Sequence, residues 1–276
     1  MQTRVAIQGQ QASFHDIAAR RFLGESIKVI NCDTFEAAFA ALQTGKVDKV
    51  VVALENSLFG SINQTYDLLL KYKFWIAGEL YLHIKQCLIG MPSAQISDIT
   101  EVHSQLPALA QCETYLDKNL PKAKRIEQHD TAASVQAVKE WGDLHKAAIA
   151  SAEAAEYYGM KILAQEIETY THNYTRFVLL EKSRSVAKAA DKTSLVLTTD
   201  HKSGALYKAL GVFADSQMNL TKLQSRPIMG KAWHYMFYLD VTSAAESVGF
   251  KSVLSSLKKQ GCEVTILGSY QAGRAT

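Results

Sequence analysis

The chain has 276 residues, 47% of them hydrophobic, with 30 basic against 27 acidic side chains and a formal charge of +3. That apolar content argues against disorder, and a length well beyond about 150 residues allows more than one domain. The near balance of charge lacks the clustered basic residues that nucleic acid demands, so no nucleic-acid partner is expected.

Val5-Ala6-Ile7 reads as a short buried strand, followed by a loop from Gly9 to His15 and a helix capped by Ser13 or Asp16. Lys28-Val29-Ile30 is a second strand. Asp33 or Thr34 caps a helix with Phe35, Ala38, Phe39 and Leu42 on one face, and Gly45 ends it. Val47 to Leu54 is a third strand, apolar enough to be buried on both faces. Such alternation predicts a parallel, doubly wound sheet. A polar loop, Glu55 to Ser61, and a helix over Asn63 to Tyr72 follow.

Gly78 to Ile84, Leu88 to Pro92 and Val102 to Ser104 read as strands. A helix from Pro107 carries Leu109, Cys112 and Leu116. Lys124 to Ile126 is extended, and Asp130 or Thr131 caps the next helix. Ala147 to Ala150 is a strand, Ser151 caps a short Ala-rich helix, and Gly159 ends it. The chain returns through Ile162-Leu163 to a strand opening at Asn173-Tyr174-Thr175-Arg176-Phe177.

Residues 183–192 have linker composition. Beyond them, Thr193 to Thr199, Asn219 to Leu223, Trp233 to Val241 and Val264 to Leu267 read as strands. Ser203 caps a helix carrying Leu206, Leu210 and Phe213, and a second helix runs from Ala244 to Gln260, giving a βαββαβ, ferredoxin-like unit with a frayed tail from Gln271. Its open sheet edges predict a homo-oligomer.

Cys32, Cys87, Cys112 and Cys262 form no CxxC pair and have no zinc-like spacing with His, so reduced thiols and no metal or other cofactor are expected. The start, Met1-Gln2-Thr3-Arg4, is not that of a signal peptide, and the run Val50 to Leu54 is far short of the about 20 residues of a membrane span. A cytoplasmic protein without a membrane partner is expected.

Four strand-to-helix turns, at residues 9–16, 55–63, 104–108 and 130–132, are rich in Ser, Thr and Asn. Each alone is a capped helix. Together, facing one cleft, they offer hydroxyls, amides and helix N-termini suited to a small carboxylate ligand. Thr175 and Arg176 at a strand mouth add a hydroxyl and a guanidinium; taken alone they are an ordinary strand start with a surface Arg.

Glu55-Asn56-Ser57 with Gly60-Ser61 and Tyr66-Asp67-Leu68-Leu69, then Asp130-Thr131-Ala132, Asn173 with Thr175-Arg176-Phe177, and Asn219-Leu220-Thr221-Lys222 leading to Ser225-Arg226-Pro227, occur in an order that resembles the prephenate dehydratase family over essentially the whole chain. The resemblance implies a two-lobed catalytic domain like a periplasmic binding protein over residues 1–182. One lobe takes about 1–76 and 163–182, the other about 77–162. An ACT regulatory domain follows over 193–271. It also implies dehydration and decarboxylation of prephenate to phenylpyruvate in phenylalanine biosynthesis, with feedback by phenylalanine and a homodimer or homotetramer.

By the same resemblance Thr175, Arg176, Asn56 and Ser57 are catalytic, with Thr175 at the departing hydroxyl and Arg176 either clamping a carboxylate or bracing the cleft. Ser13, Phe14, Ser104, Thr131 and Phe177 are substrate-binding. Gly204, Ala205, Leu206, Asn219, Leu220, Ser225 and Arg226 are effector-binding.

The chain departs from the family pattern in four places. Gly9-Gln10-Gln11-Ala12 lacks a Pro and a second Gly, Val52-Ala53-Leu54 lacks a Pro, Ser104-Gln105-Leu106-Pro107 replaces Ser-His-Pro-Gln, and Gln224 replaces Glu before Ser225-Arg226-Pro227. Two alternatives stand beside the leading one: an arogenate dehydratase, acting on the amino analogue of prephenate, and a non-catalytic small-molecule sensor.

Overall fold

The computed structural model describes residues 2–185, 187 and 189–274. Its elements run β1 (Arg4–Gln8), α1 (Phe14–Leu23), β2 (Lys28–Cys32), α2 (Phe35–Gln43), β3 (Lys49–Asn56), β4 (Gly60–Ser61), α3 (Asn63–Tyr72) and β5 (Trp75–His83). Then come β6 (Cys87–Gly90), β7 (Glu101–Ser104), α4 (Leu106–Gln111), α5 (Glu113–Asn119), β8 (Lys124–Glu127), α6 (Thr131–Trp141), β9 (Lys146–Ala150), α7 (Ala152–Tyr158), β10 (Lys161–Ala164) and β11 (Tyr174–Glu181). The last are β12 (Lys192–Thr198), α8 (Ala205–Asp215), β13 (Leu220–Pro227), β14 (Tyr235–Val241), α9 (Val248–Lys259) and β15 (Glu263–Tyr270).

Two compact units result. One comprises residues 1–68, 80–177 and 274–276; the other comprises 69–79 and 178–273. The first holds two lobes. In one, β1 lies between β2 and β3 and is parallel to both. Val5, Ala6 and Ile7 are completely buried, as an interior strand covered on both faces requires. In the other lobe the strand order is β10-β6-β9-β7-β8. β7 is parallel to β8 and β9, while β6 runs antiparallel to β9 and β10. Apolar side chains of α4, α5 and the neighbouring strands, including Leu88, Val102, Leu109 and Leu116, form its core on one side. Val135, Val138 and Ala154 of α6 and α7 pack on Ile89 and Ala148.

Local chemistry explains the helix starts. Ser13, Thr34, Asp130, Ser151 and Ser247 each accept the backbone N–H three residues on, which satisfies a donor that the first turn leaves without a helical partner. These settle the choices left open between Ser13 and Asp16, Asp33 and Thr34, and Asp130 and Thr131. Ser203 is not a cap. Gly204 takes that position with φ of 78°, in the left-handed region where the absence of Cβ removes the steric cost.

The helix expected from Pro107 through Leu116 breaks at Cys112, whose φ of −102° and ψ of 10° end α4 and start α5. The loop expected over Glu55 to Ser61 is partly a hairpin, because β3 continues to Asn56 and pairs with β4. The last helix begins at Val248 rather than Ala244.

In the second unit β12-α8-β13-β14-α9-β15 builds an antiparallel sheet of order β13-β14-β12-β15, the ferredoxin-like arrangement. Its core is Leu195, Leu197, Phe213, Leu239, Phe250, Val253 and Leu257, where both helices cover one sheet face. Residues 69–79 belong here because Ile76 pairs with Gly268 of β15. Of the expected linker, Val186 and Lys188 lie outside the described residues, as do Ala275 and Thr276 of the tail. The rest of that tail is not frayed at its start: Ala272 N–H donates to Asp191 Oδ1 at 2.6 Å and Gly273 N–H to Glu79 Oε1 at 3.0 Å.

This unit also buries charge. Lys192 Nζ lies 3.0 Å from both Glu79 carboxylate oxygens and 3.6 Å from Asp240 Oδ2. Ser194 Oγ donates to Asp240 Oδ1 and lies 2.6 Å from the Tyr270 hydroxyl.

Candidate active site

A cavity of about 450 Å³ lies in the first unit, bordered by both of its lobes. Asn56 at the end of β3 organises one wall. Its Oδ1 accepts the N–H groups of Leu58 and Phe59, both at 3.0 Å. That turn fixes the amide orientation and aims Nδ2 at the start of β11 and the residue before it, where it donates to Asn173 Oδ1 at 2.8 Å, Tyr174 O at 3.3 Å and Thr175 Oγ1 at 3.0 Å. Because Thr175 Oγ1 accepts from Asn56, its own proton is left to point elsewhere. Thr175 is 8% exposed and borders the cavity.

Strand alternation divides β11 into two faces. Thr175 and Phe177 border the cavity, whereas Arg176, between them, does not; its Nη1 lies 3.8 Å from Glu55 Oε2. Ser57 also lies off the lining. Its N–H donates to Tyr174 O at 2.8 Å and its Oγ accepts from Tyr174 N–H at 2.9 Å, so it staples the hairpin to β11. Ser104 is completely buried and spends its hydroxyl on Ile149 O at 2.7 Å, away from the lining. The expected set thus divides: Asn56, Thr175, Ser13, Phe14, Thr131 and Phe177 gather around the cavity, and Arg176, Ser57 and Ser104 do not border it.

Ser13, Phe14 and Thr131 come from the first residues of α1 and α6 or their caps, so two helix N-termini reach the lining. Gly9 makes room for this. It has φ of 101°, and a Cβ there would stand 2.6 Å from Asp130 Oδ2. Burial raises the Asp130 carboxyl above its usual range, against the pull of the N–H groups of Ala133, Ala132 and Gln10. Among the described lining residues Asp33 and Asp130 are acidic and none is Lys or Arg.

Sequence reasoning missed His15 and the glutamines. Gln8, Gln64, Gln86, Gln105 and Gln111 all border the cavity. Gln8, Gln64 and Gln111 fall at or within segments that read as strand or helix, Gln86 between two strands and Gln105 in a polar turn, and an isolated Gln carries no signal in any of these. His15 stands in the first turn of α1, its ring 5.1 Å from Phe177 and 5.6 Å from Phe35, and its Nε2 accepts Ala53 N–H at 3.2 Å. Burial lowers its pKa to about 4. An unfolded His titrates near 6.5, so the unfolded chain binds the extra proton first and stability falls as pH drops from about 6.5 to about 4. His15→Gln keeps an acceptor for Ala53 and is expected to shift the acid-unfolding midpoint to lower pH, as followed by circular dichroism. An unmoved midpoint contradicts this role for His15.

Only part of the expected effector set gathers within one chain, with Ser225 the cross-strand partner of Phe237, which lines the same small cavity as Ala205 and Leu206. Ala205 and Leu206 border a cavity of about 140 Å³ with His201, His234, Tyr235 and Phe237. Gly204, at the N-cap of α8, does not border it. Asn219 and Leu220 lie at the start of β13, with Ser225 and Arg226 toward its end, some ~20 Å away at strand rise.

The fold and the cavity define a two-lobed α/β ligand-binding unit joined to a ferredoxin-like unit. The family model described as prephenate dehydratase matches residues 5–185. A bifunctional chorismate mutase/prephenate dehydratase of Aquifex aeolicus is 37% identical over 97% of this chain and 73% of its own length. Further matched relatives are arogenate dehydratases of Petunia hybrida and Arabidopsis thaliana. A solved prephenate dehydratase of Arthrobacter aurescens in complex with L-Phe has a TM-score of 0.88 at 28% identity, covering 98% of this chain and 90% of that one. A solved structure described as a novel type of quorum quenching acylase, GqqA, has a TM-score of 0.87 at 30% identity and covers 98% of both chains. The chain belongs to the prephenate dehydratase family. No helix among the described residues is long and apolar enough to cross a membrane.

Proposed function

We propose that this chain is a lyase that converts prephenate to phenylpyruvate, carbon dioxide and water, with Thr175 as proton donor. The observation that carries this is the Asn56–Thr175 contact at 3.0 Å on the cavity wall. In the reaction the ring carboxylate leaves as carbon dioxide, and the electrons of that C–C bond flow into the ring. They expel the hydroxyl across the ring, which departs as water after taking one proton. A hydroxyl held as acceptor by Asn56 has its proton free for that oxygen and takes a replacement proton from solvent as the water leaves; positioned proton donation is worth about 10²–10⁴-fold.

Substrate carboxylates find neutral donors at the N-termini of α1 and α6. Phe14 and Phe177 supply apolar wall for the ring. Arg176 braces the cleft through Glu55 rather than clamping substrate, and Ser57 holds the hairpin that carries Asn56. Purified protein is expected to form phenylpyruvate from prephenate without added metal; folded protein that turns over neither prephenate nor arogenate sinks the reading.

The acidic lining, without Lys or Arg among its described residues, favours a second reading in which arogenate, with an ammonium group, is also a substrate. Parallel kcat/KM values on the two compounds decide between them. An acylase needs a hydroxyl or thiol beside a base. Here the Thr175 hydroxyl is held by an amide, which supports elimination over acyl transfer; release of acid from an N-acyl amide would reverse that preference.

The catalytic residues lie within 1–182 in this reading, and 193–271 form an ACT domain that takes phenylalanine at an interface between copies in a homodimer or homotetramer. The separation of Asn219 from Ser225 along β13 supports a site completed by a second copy. Phenylalanine is expected to lower prephenate turnover and to raise the melting temperature, since a ligand of the native state stabilises it.

A further inference from the structure

The second-lobe wall of the cavity carries a buried polar side chain that proton donation by Thr175 leaves unused. Gln86 is 1% exposed and borders the cavity. Its backbone is held on both sides: the N–H donates to Glu168 Oε2 at 2.9 Å and the carbonyl accepts Ile167 N–H at 3.0 Å. Its Nε2 donates to Gln111 Oε1 at 3.2 Å, and Gln111 borders the same cavity. Among the described residues no donor reaches Gln86 Oε1, which is fully buried. Proteins rarely bury an amide oxygen without a partner, and on a cavity wall a bound ligand can supply the missing donor.

A primary amide offers an acceptor on one edge and donors on the other. The two glutamines are joined through one hydrogen bond. Turning both amides over preserves that bond with its direction reversed, and Gln86 then presents N–H where it had presented oxygen. The pair can therefore meet either a donor or an acceptor at little cost.

We propose that Gln86, coupled to Gln111, is the specificity-determining residue for the substrate's side chain, donating to a keto oxygen in one orientation and accepting from an ammonium in the other. This rests on the dehydratase reading. The leaving hydroxyl and the side chain sit at opposite ends of the substrate ring. In this reading Thr175, its Oγ1 held by Asn56, meets the hydroxyl, and Gln86, which leads into β6, and Gln111, which closes α4, border the same cavity to receive the substituted end of the ring. The two lining carboxylates are less suited to this task. Asp33 stands exposed at the rim, and Asp130 already accepts backbone N–H groups at the start of α6.

The test compares kcat/KM for prephenate and arogenate in wild type, Gln86→Glu and Gln86→Met, with folding checked by circular dichroism. Gln86→Glu fixes a charged acceptor and is expected to raise the arogenate-to-prephenate ratio at least ten-fold. Gln86→Met removes both amide edges. It is expected to raise KM at least five-fold for both substrates with kcat changed less than three-fold, because the contact is made to a non-reacting part of the substrate. An unmoved ratio in folded Gln86→Glu, or wild-type KM values in Gln86→Met, overturns the proposal; if the Glu variant does not fold, the Met variant decides alone. A wild type inactive on both compounds defeats the dehydratase reading itself.

Discussion

Thr175→Val is expected to lower kcat on prephenate by about 10²–10⁴-fold while leaving the fold in place. Valine matches threonine in shape and is equally at home in a strand, and Thr175 sits 8% exposed in β11. The substitution removes one oxygen. Asn56 Nδ2 keeps Asn173 Oδ1 and Tyr174 O as acceptors, so the stability cost is about 1 kcal/mol. KM is expected to change little, since the donor acts on the bond that breaks. Thr175→Ser restores a hydroxyl and is expected to recover much of the rate. A valine variant with kcat within three-fold of wild type removes Thr175 from the chemistry.

The sequence reading reached Thr175 through an ordered set of short motifs, and the strand it starts was legible from the apolar run Phe177 to Leu180. The alternation of that strand also held an unused signal. Thr175 and Phe177 must share a face, and Arg176 must take the other, which is where the structure puts it beside Glu55. Ser104 illustrates a different limit. A serine at a strand end reads as a ligand donor, and nothing in one sequence shows that Ile149 O will consume its hydroxyl. Parallel strands and caps were legible because they follow from local periodicity and local hydrogen bonding. The break at Cys112 was not, because Leu109, Cys112 and Leu116 keep helical spacing across it. The glutamine lining was equally invisible, being assembled from four separate segments, with α4 and its cap supplying two of the five.

Lys192→Met is expected to be the most destabilising single change in the ferredoxin-like unit. Lys192, Glu79 and Asp240 are each at most 6% exposed, and the ammonium lies 3.0 Å from Glu79 and 3.6 Å from Asp240. Removing it leaves two carboxylates near each other in a poorly solvated interior. Breaking a buried ion pair by deleting one partner costs about 3–5 kcal/mol. Chemical denaturation of wild type and variant measures the loss. Lys192→Met together with Glu79→Gln and Asp240→Asn removes the stranded charges and is expected to recover a large part of it. A single variant within about 1 kcal/mol of wild type would mean that water or protonation relieves the carboxylates.

The hydrogen bond between Asn56 and Thr175 joins residues 119 positions apart in the chain. On a ribosome adding about 5–20 residues per second, the β3 hairpin waits several seconds before the segment that completes the cavity wall exists. During that interval β1, β2 and β3 are already available to pair, yet the Asn56 amide has none of its three acceptors on Asn173, Tyr174 and Thr175. Contacts of such long separation are slow to form because loop closure is paid before they reward it. This wall of the cavity is therefore among the last features of its unit to assemble, so a nascent or truncated chain ending before Tyr174 can pair β1, β2 and β3 and still lack it.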